Sequence, residues 1–312
     1  MKHVVVFVVC MMVFQTVQSC DACGCSINGD SWGIMPKYNI HFVGLRLQYR
    51  QYHNVHPDDH GAEGAMLTGD DYFYKGDLFG RFSINRRLLL TGTLPYRYNL
   101  RLEDGEKMSN SGMGDGSLTI NYLPILPGCN DWKHALQVSA GVEAPTGKFT
   151  FSHDNPANMQ LGSGTWDYLF GMNYTIRYRN VGMNFEGNYR YNGLTKVGYD
   201  WGNSWTAGAK LFATIQQDST SMFMPWVGIS DEQYESNIEN TKYQIRAAYT
   251  GGYLVTWNAG FDYYSQHFGA GIEFGIPVVS ELSDGYSKMK FHAGARLMYF
   301  IQTKKKNSIK QI

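Results

Sequence analysis

The sequence carries no surplus of either charge: 27 Lys and Arg stand against 27 Asp and Glu in 312 residues. A nucleic-acid partner needs a basic excess to neutralise phosphates, so that class of partner is excluded as the main one. Charged residues are sparse, at 17%, while aromatics reach 15%, which excludes a disordered chain. Long apolar runs are missing as well. Beyond residue 20 none approaches the roughly 18 residues of a membrane helix, and mean hydropathy is −0.33. A bundle of membrane helices is thereby excluded. Proline is scarce, at 9 residues; glycine, at 35, and tyrosine, at 22, are plentiful. A β-rich protein tolerates both, whether it is soluble or lies in a membrane.

The N-terminus reads as a targeting segment. Lys2 precedes Val4–Phe14, an apolar stretch of eleven residues, which suits an export signal and is too short to span a bilayer. Val17-Gln18-Ser19-Cys20 resembles a lipoprotein cleavage box, although Gln18 is atypical there. Plain cleavage and lipid attachment at Cys20 both fit. The expected organisation is an export signal over 1–19, a cysteine-containing periplasmic leader over 20–37, a β-barrel over 38–302 and a basic tail over 303–312.

From Tyr38 onward, segments of about ten to fifteen residues alternate apolar and polar side chains, the period-2 signature of strands. In Trp166–Tyr178, Trp166, Tyr168, Phe170, Met172, Tyr174, Ile176 and Tyr178 share one face. Asp167, Asn173, Thr175 and Arg177 share the other. The next segment repeats this from Val181 to Tyr191, and only Arg179-Asn180 separates the two, as in a tight hairpin. Further segments begin near Tyr38, Tyr72, Leu88, Gly114, Trp132, Ser204, Met222, Gly252, Phe268 and Lys288, giving about twelve strands. Short links are expected near 85–87, 124–131, 179–180, 217–221 and 265–267. Long ones are expected at 53–70, 101–113, 145–164, 193–203, 231–250 and 279–287. Tight turns at one end and long polar loops at the other are the pattern of bacterial outer-membrane barrels. A soluble sandwich would show shorter strands and no such alternation. The expected fold is therefore all-β, a transmembrane antiparallel up-and-down barrel in the outer membrane, with lipid around it. Tyr72, Tyr74, Tyr96, Tyr98, Trp166, Tyr168, Tyr189, Tyr191 and Trp205 all fall on the outward parity near the long loops, the place of an interfacial girdle.

The inward parity carries Arg46, Arg50, Lys75, Arg81, Arg97, Arg101, Lys133, Arg177, Arg190, Lys210, Lys290 and Arg296. Against them stand Asp77, Glu143, Asp167, Glu186, Asp262 and Glu273. Two readings follow. An open lumen so lined would favour anions; a small barrel would instead fill itself with salt-bridge ladders.

Two clusters carry ligand chemistry. Cys20, Cys23 and Cys25 form a C-x₂-C-x-C arrangement suited to copper or zinc, to a redox pair or to structural disulfides. Cys129, His134 and His267 fall at the same end by topology. In the first long loop His53, His56 and His60, with Asp58 and Asp59, could hold a divalent metal, joined by His153-Asp154. No cofactor is certain. No catalytic constellation stands out, since His41, His134 and His292 have no evident serine partner at matching strand height, and an enzyme is not expected.

Gly112-Met113-Gly114-Asp115-Gly116-Ser117-Leu118 opens a strand, and Ala144-Pro145-Thr146-Gly147-Lys148 closes the next. Leu161-Gly162-Ser163-Gly164 precedes a further strand. With these motifs the stretch from Gly112 to Asn192 resembles the transporter-like outer-membrane proteins named for the MetA pathway of phenol degradation. The resemblance implies a barrel that moves small, often apolar, molecules across the outer membrane. A channel or transporter for small solutes is accordingly the expected function; a metal-binding barrel, or a structural or adhesive one, is the alternative.

Overall fold

A computed structural model describes residues 41–57, 66–127, 131–150, 156–195, 198–217, 221–240, 243 and 245–301. The expected export signal, leader and basic tail lie outside these residues. The strands are β1 (His41–Pro57), β2 (Met66–Ser83), β3 (Leu88–Glu103), β4 (Glu106–Met113), β5 (Gly116–Ile125), β6 (Trp132–Ala144), β7 (Asp167–Tyr178) and β8 (Val181–Tyr191). They continue as β9 (Ser204–Ala213), β10 (Ile215–Gln216), β11 (Met222–Tyr234), β12 (Ile238–Asn240), β13 (Ile245–Arg246), β14 (Gly252–Tyr264), β15 (Phe268–Leu282) and β16 (Ser287–Ile301).

Every pairing is antiparallel, each wall strand pairs with the next, and β16 returns to β1 with His41 opposite Ile301. The result is a closed twelve-stranded barrel. Closure removes the unpaired edge that an open sheet would expose to lipid. β4 and β5 together make one wall strand, broken at Gly114-Asp115: β4 pairs the upper half of β3 and β5 the lower half. β10 prolongs β9 along β11, while β12 and β13 form a separate ribbon in the loop after β11.

Burial follows the alternation of the sequence. On β1, Leu45 and Leu47 are 59% and 65% exposed while Arg46 between them is 4% exposed. Apolar side chains thus line the outside and charges the inside, the inverse of a water-soluble fold. The outer surface continues through Leu78, Leu94, Ile120, Phe170, Ile229, Ile272 and Leu297, all exposed. An apolar band of that extent has to be covered, and lipid covers a barrel wall. The tyrosines at the long-loop end form the expected girdle: Tyr49 and Tyr74 lie 5.0 Å apart, Tyr74 and Tyr98 5.8 Å, Tyr168 and Tyr191 6.3 Å. A second girdle, unmarked in the sequence reading, rings the short-turn end through Trp132–Tyr178, Phe223–Tyr263 and Phe268–Tyr299.

Two expected long loops are instead strand. Residues 101–113 form the tip of the β3–β4 hairpin, turning at Asp104 (φ 45°) and Gly105 (φ 87°). Asp-Gly supplies the two positive φ values of a tight hairpin turn, so the strands run on to the turn without a loop. Likewise β15 and β16 meet across a turn at Ser283–Gly285, leaving no loop over 279–287. A third correction concerns Lys290. A bulge where β16 passes Gln51 and Tyr52 of β1 turns the parity over, so Met289 is buried and Lys290 is exposed.

Candidate functional site

The lumen is stratified along its axis. At the short-turn end, inward residues of six strands meet in an apolar cluster of Phe42, Phe79, Phe212, Met222, Met224, Trp226, Tyr264, Met298 and Phe300. The aromatic rings pack edge to face, Phe42 against Phe79 at 6.0 Å and against Phe300 at 6.3 Å. Arg46 sits over Phe79 at 5.6 Å on the belt side and Arg81 over Phe42 at 5.0 Å on the short-turn side, so guanidinium planes bracket the plug.

Above it lies a belt of paired charges. Arg46 donates through Nε and Nη2 to Asp77 at 2.8 and 2.6 Å, and Lys75 reaches the same carboxylate at 3.4 Å. Arg101 forks onto Asp71, Arg50 onto Glu232, and Arg190 places Nη2 on both oxygens of Glu143. Arg296 bonds Asp262 at 2.6 Å and Lys210 lies 3.3 Å from Glu186. Arg97 lines a cavity with Asp115, Glu143 and Arg190. Arg177, opposite Lys133 across β6 and β7, is half-buried near the short-turn end.

Three acids that the sequence reading left out of the lumen, Asp71, Asp115 and Glu232, are buried there, whereas Lys290 faces out. The basic excess read from strand parity therefore largely disappears. Asp71 and Glu232 obey the period-2 parity of their strands and were missed because the strands run further than the sequence reading took them. Asp115 sits in the break between β4 and β5.

At the long-loop end a second apolar cluster joins Tyr52, Phe73, Tyr234, Leu254, Leu282 and Met289 to Met159. Met159 comes from the connection between β6 and β7, which folds into the barrel. Asn99 and Asn110 each donate from Nδ2 to the Met159 carbonyl at 3.2 Å, and Asn158 reaches Asp71 at 3.3 Å. Asp115 accepts the Gly147 amide at 2.8 Å on one oxygen and the Ser163 amide at 2.5 Å on the other. Gly162 passes so close to Asp115 and Gly147 that a Cβ there would collide with both. The Trp201 indole donates to the Ser163 carbonyl at 2.8 Å, and Ala157, Tyr199 and Ala247 bring three loops together above. The motif glycines and Asp115 thus fasten an inward loop.

Of the candidate metal ligands in the two clusters only His53 and His56 are among the described residues, and these two do not converge. His53 and His56 fall on opposite faces of β1, three residues apart in a strand of period 2. His53 Nδ1 pairs with Asp70 and His56 Nε2 with Glu103, each at 2.9 Å. Among the described residues no three His, Cys, Asp or Glu side chains gather in one place. His134 pairs with the Tyr174 hydroxyl at 2.7 Å and His267 is exposed. Cys20, Cys23, Cys25, Cys129, His60 and His153 lie outside the described residues.

No protein-family model matches the sequence, and no curated protein matches it. Solved structures do. An outer-membrane channel from Pseudomonas putida F1 superposes with a TM-score of 0.59 over 86% of this chain and 99% of its own, at 13% identity. The likeness is one of fold. The β domain of the Bordetella autotransporter BrkA (TM-score 0.44, 11% identity, 84% of this chain and all of its own) stands further off. So does the NanC porin (0.37, 13%, 83% and all of its own). At those scores neither carries an argument.

Proposed function

We propose that this chain is an outer-membrane channel for small solutes, shut at rest by its own side chains. The observation that carries the reading is the axial order of the lumen: a polar, charge-paired belt held between two apolar closures, the upper one completed by a folded-in loop. A purely structural barrel has no need of a polar compartment at mid-height, and an adhesive one would place its polar groups on the outer loops. The likeness in fold to a channel, and the glycine-rich motifs shared with the family named for phenol degradation, point the same way. Membership of that family is part of the proposal.

Charge-paired walls predict weak selectivity between simple anions and cations, because a neutralised ring attracts neither. The test is liposome swelling and planar-bilayer conductance with the purified full-length barrel. Small, flickering conductance with uptake of small solutes supports the reading. Complete impermeability to ions and to small neutral solutes, in wild type and in loop-released variants alike, overturns it.

A further inference from the structure

The belt contains a chamber lined by Gln48, Glu186, Lys210, Trp226, Asn258 and Glu273, among others, with Arg50, Glu232 and His292 completing the wall. Its free space is about 60 Å³, room for roughly four waters. Charge bookkeeping within it is uneven. Arg50 is bound to Glu232, and Lys210 lies against Glu186 and over the Trp226 ring at 4.9 Å. Glu273 makes no hydrogen bond or ion pair with a described residue. It is the carboxylate left over.

The backbone around Glu273 is built for it. The inward positions of β15 near it run Gly269, Gly271, Glu273, Gly275, so Glu273 is the single side chain this strand sends into the lumen there. Each empty glycine floor is used by a neighbour. Over Gly271 lie Asp262 and Arg296, bonded at 2.6 Å; over Gly275 lie Asn258 and His292, bonded at 2.7 Å. Over Gly294 lies Glu273, where a Cβ would stand 2.8 Å from its Cγ and Oε1. Two of these three floors carry closed pairs and the third carries an open carboxylate. A fourth floor, Gly260, stands between Trp226 and Glu273 in register and carries the Trp226 ring, whose buried indole N–H donates to no described atom. Glu273 is half-buried in the chamber wall, and a carboxylate held there without a donor is costly unless something in the chamber supplies one.

We propose that this chamber is a binding site for a small primary ammonium ion, with the ammonium on Glu273. The proposal rests on the lumen being the solute path and names the class of solute held there. An ammonium provides three donors for an acceptor-only carboxylate, and its single charge restores neutrality to the chamber. A carboxylate solute would instead meet Glu273 and Glu186 with both local cations already engaged.

The experiment is saturation-transfer NMR on the detergent-solubilised full-length barrel, with methylammonium as probe and acetate as its anionic counterpart. Methylammonium should receive saturation and acetate should not. Glu273→Gln should weaken the methylammonium effect about tenfold or more, the factor carried by one charge-assisted hydrogen bond. Gly294→Ala keeps the charge but displaces the side chain, and should give the same loss; both variants are checked for native, heat-sensitive gel mobility. If one variant fails to fold, the other decides. Saturation of acetate in preference to methylammonium overturns the proposal, as does methylammonium binding that survives in a folded variant. Because binding is read without conduction, an impermeable barrel that holds methylammonium removes the channel and keeps the chamber. A conducting barrel that ignores methylammonium does the reverse.

Discussion

The side-chain amide of Asn99, on the inner wall of β3, donates to the main-chain carbonyl of Met159, 60 residues further on, at 3.2 Å. That bond, its twin from Asn110 and the two amides held by Asp115 fasten the β6–β7 loop inside the barrel, together with the packing of Met159 and the Trp201 bond to Ser163. Removing Asp115 should therefore loosen the loop without opening the wall. A hydrogen bond to a charged group contributes about 1.5–3 kcal/mol, so Asp115→Ala, losing the two that Asp115 accepts, shifts the loop toward release by a factor on the order of a hundred to ten thousand. The expected outcome is larger and longer openings in planar bilayers, with unchanged heat-sensitive mobility. Asn99→Ala, which removes neutral bonds, should show the same effect at about a tenth of that strength or less, near 1 kcal/mol per bond.

Arg46 and Asp77 give a contrasting case. Both are almost fully buried, and their fork is the floor of the charged belt. Arg46→Ala leaves Asp77 with only the longer contact to Lys75, and breaking such a pair costs about 3–5 kcal/mol. The variant should unfold at a distinctly lower temperature in a gel-mobility series. Replacing both residues by apolar ones of similar volume should recover most of the loss. Anion preference should scarcely move, since Arg46 offers no free charge in the intact barrel.

Much of this barrel was legible in the sequence, because alternation over ten or more residues has only one structural meaning when it recurs twelve times. Trp166–Tyr178 reads correctly on both faces. What failed to read was local. Arg46 and Arg190 announce a basic lumen, yet whether each is free or forked onto Asp77 or Glu143 depends on the stagger between strands, which no single strand encodes. Asp115 looked like part of a glycine-rich strand opening, and its role as a loop fastener depends on Gly147 and Ser163 arriving from elsewhere. The histidines of the first long loop looked adjacent; strand geometry put His53 and His56 on opposite faces.

The turn at Asp104-Gly105 carried a readable signal that the loop reading passed over. Both residues have positive φ, which a β-branched side chain resists. Gly105→Val should cost about 1–2 kcal/mol at the hairpin tip. Since the tip stands clear of the lumen, proteolysis at the β3–β4 turn should rise while conductance stays as in wild type. A change in conductance would mean that this hairpin bears on the β6–β7 loop more firmly than its contacts through Asn110 suggest.

The bulge in β16 decides which lysines can be reached from outside the cell. Strict alternation from Arg296 through Gly294 and His292 would send Lys290 into the lumen. Instead the strand gains a residue opposite Gln51, and Lys288 and Lys290 both emerge on the outer face above the aromatic belt, where Phe291 packs 5.3 Å from Tyr49. Bulges re-aim side chains in this way, and a charge so placed meets headgroups and water instead of acyl chains. Lys210, by contrast, is buried in the belt with Glu186. A membrane-impermeant acylating reagent applied to intact cells should modify Lys288 and Lys290 and spare Lys210, as read by mass spectrometry of the purified barrel. Modification of Lys210 at the rate of Lys290 would mean that the belt stands open to the outside; protection of Lys290 alone would mean that the strand keeps its regular alternation.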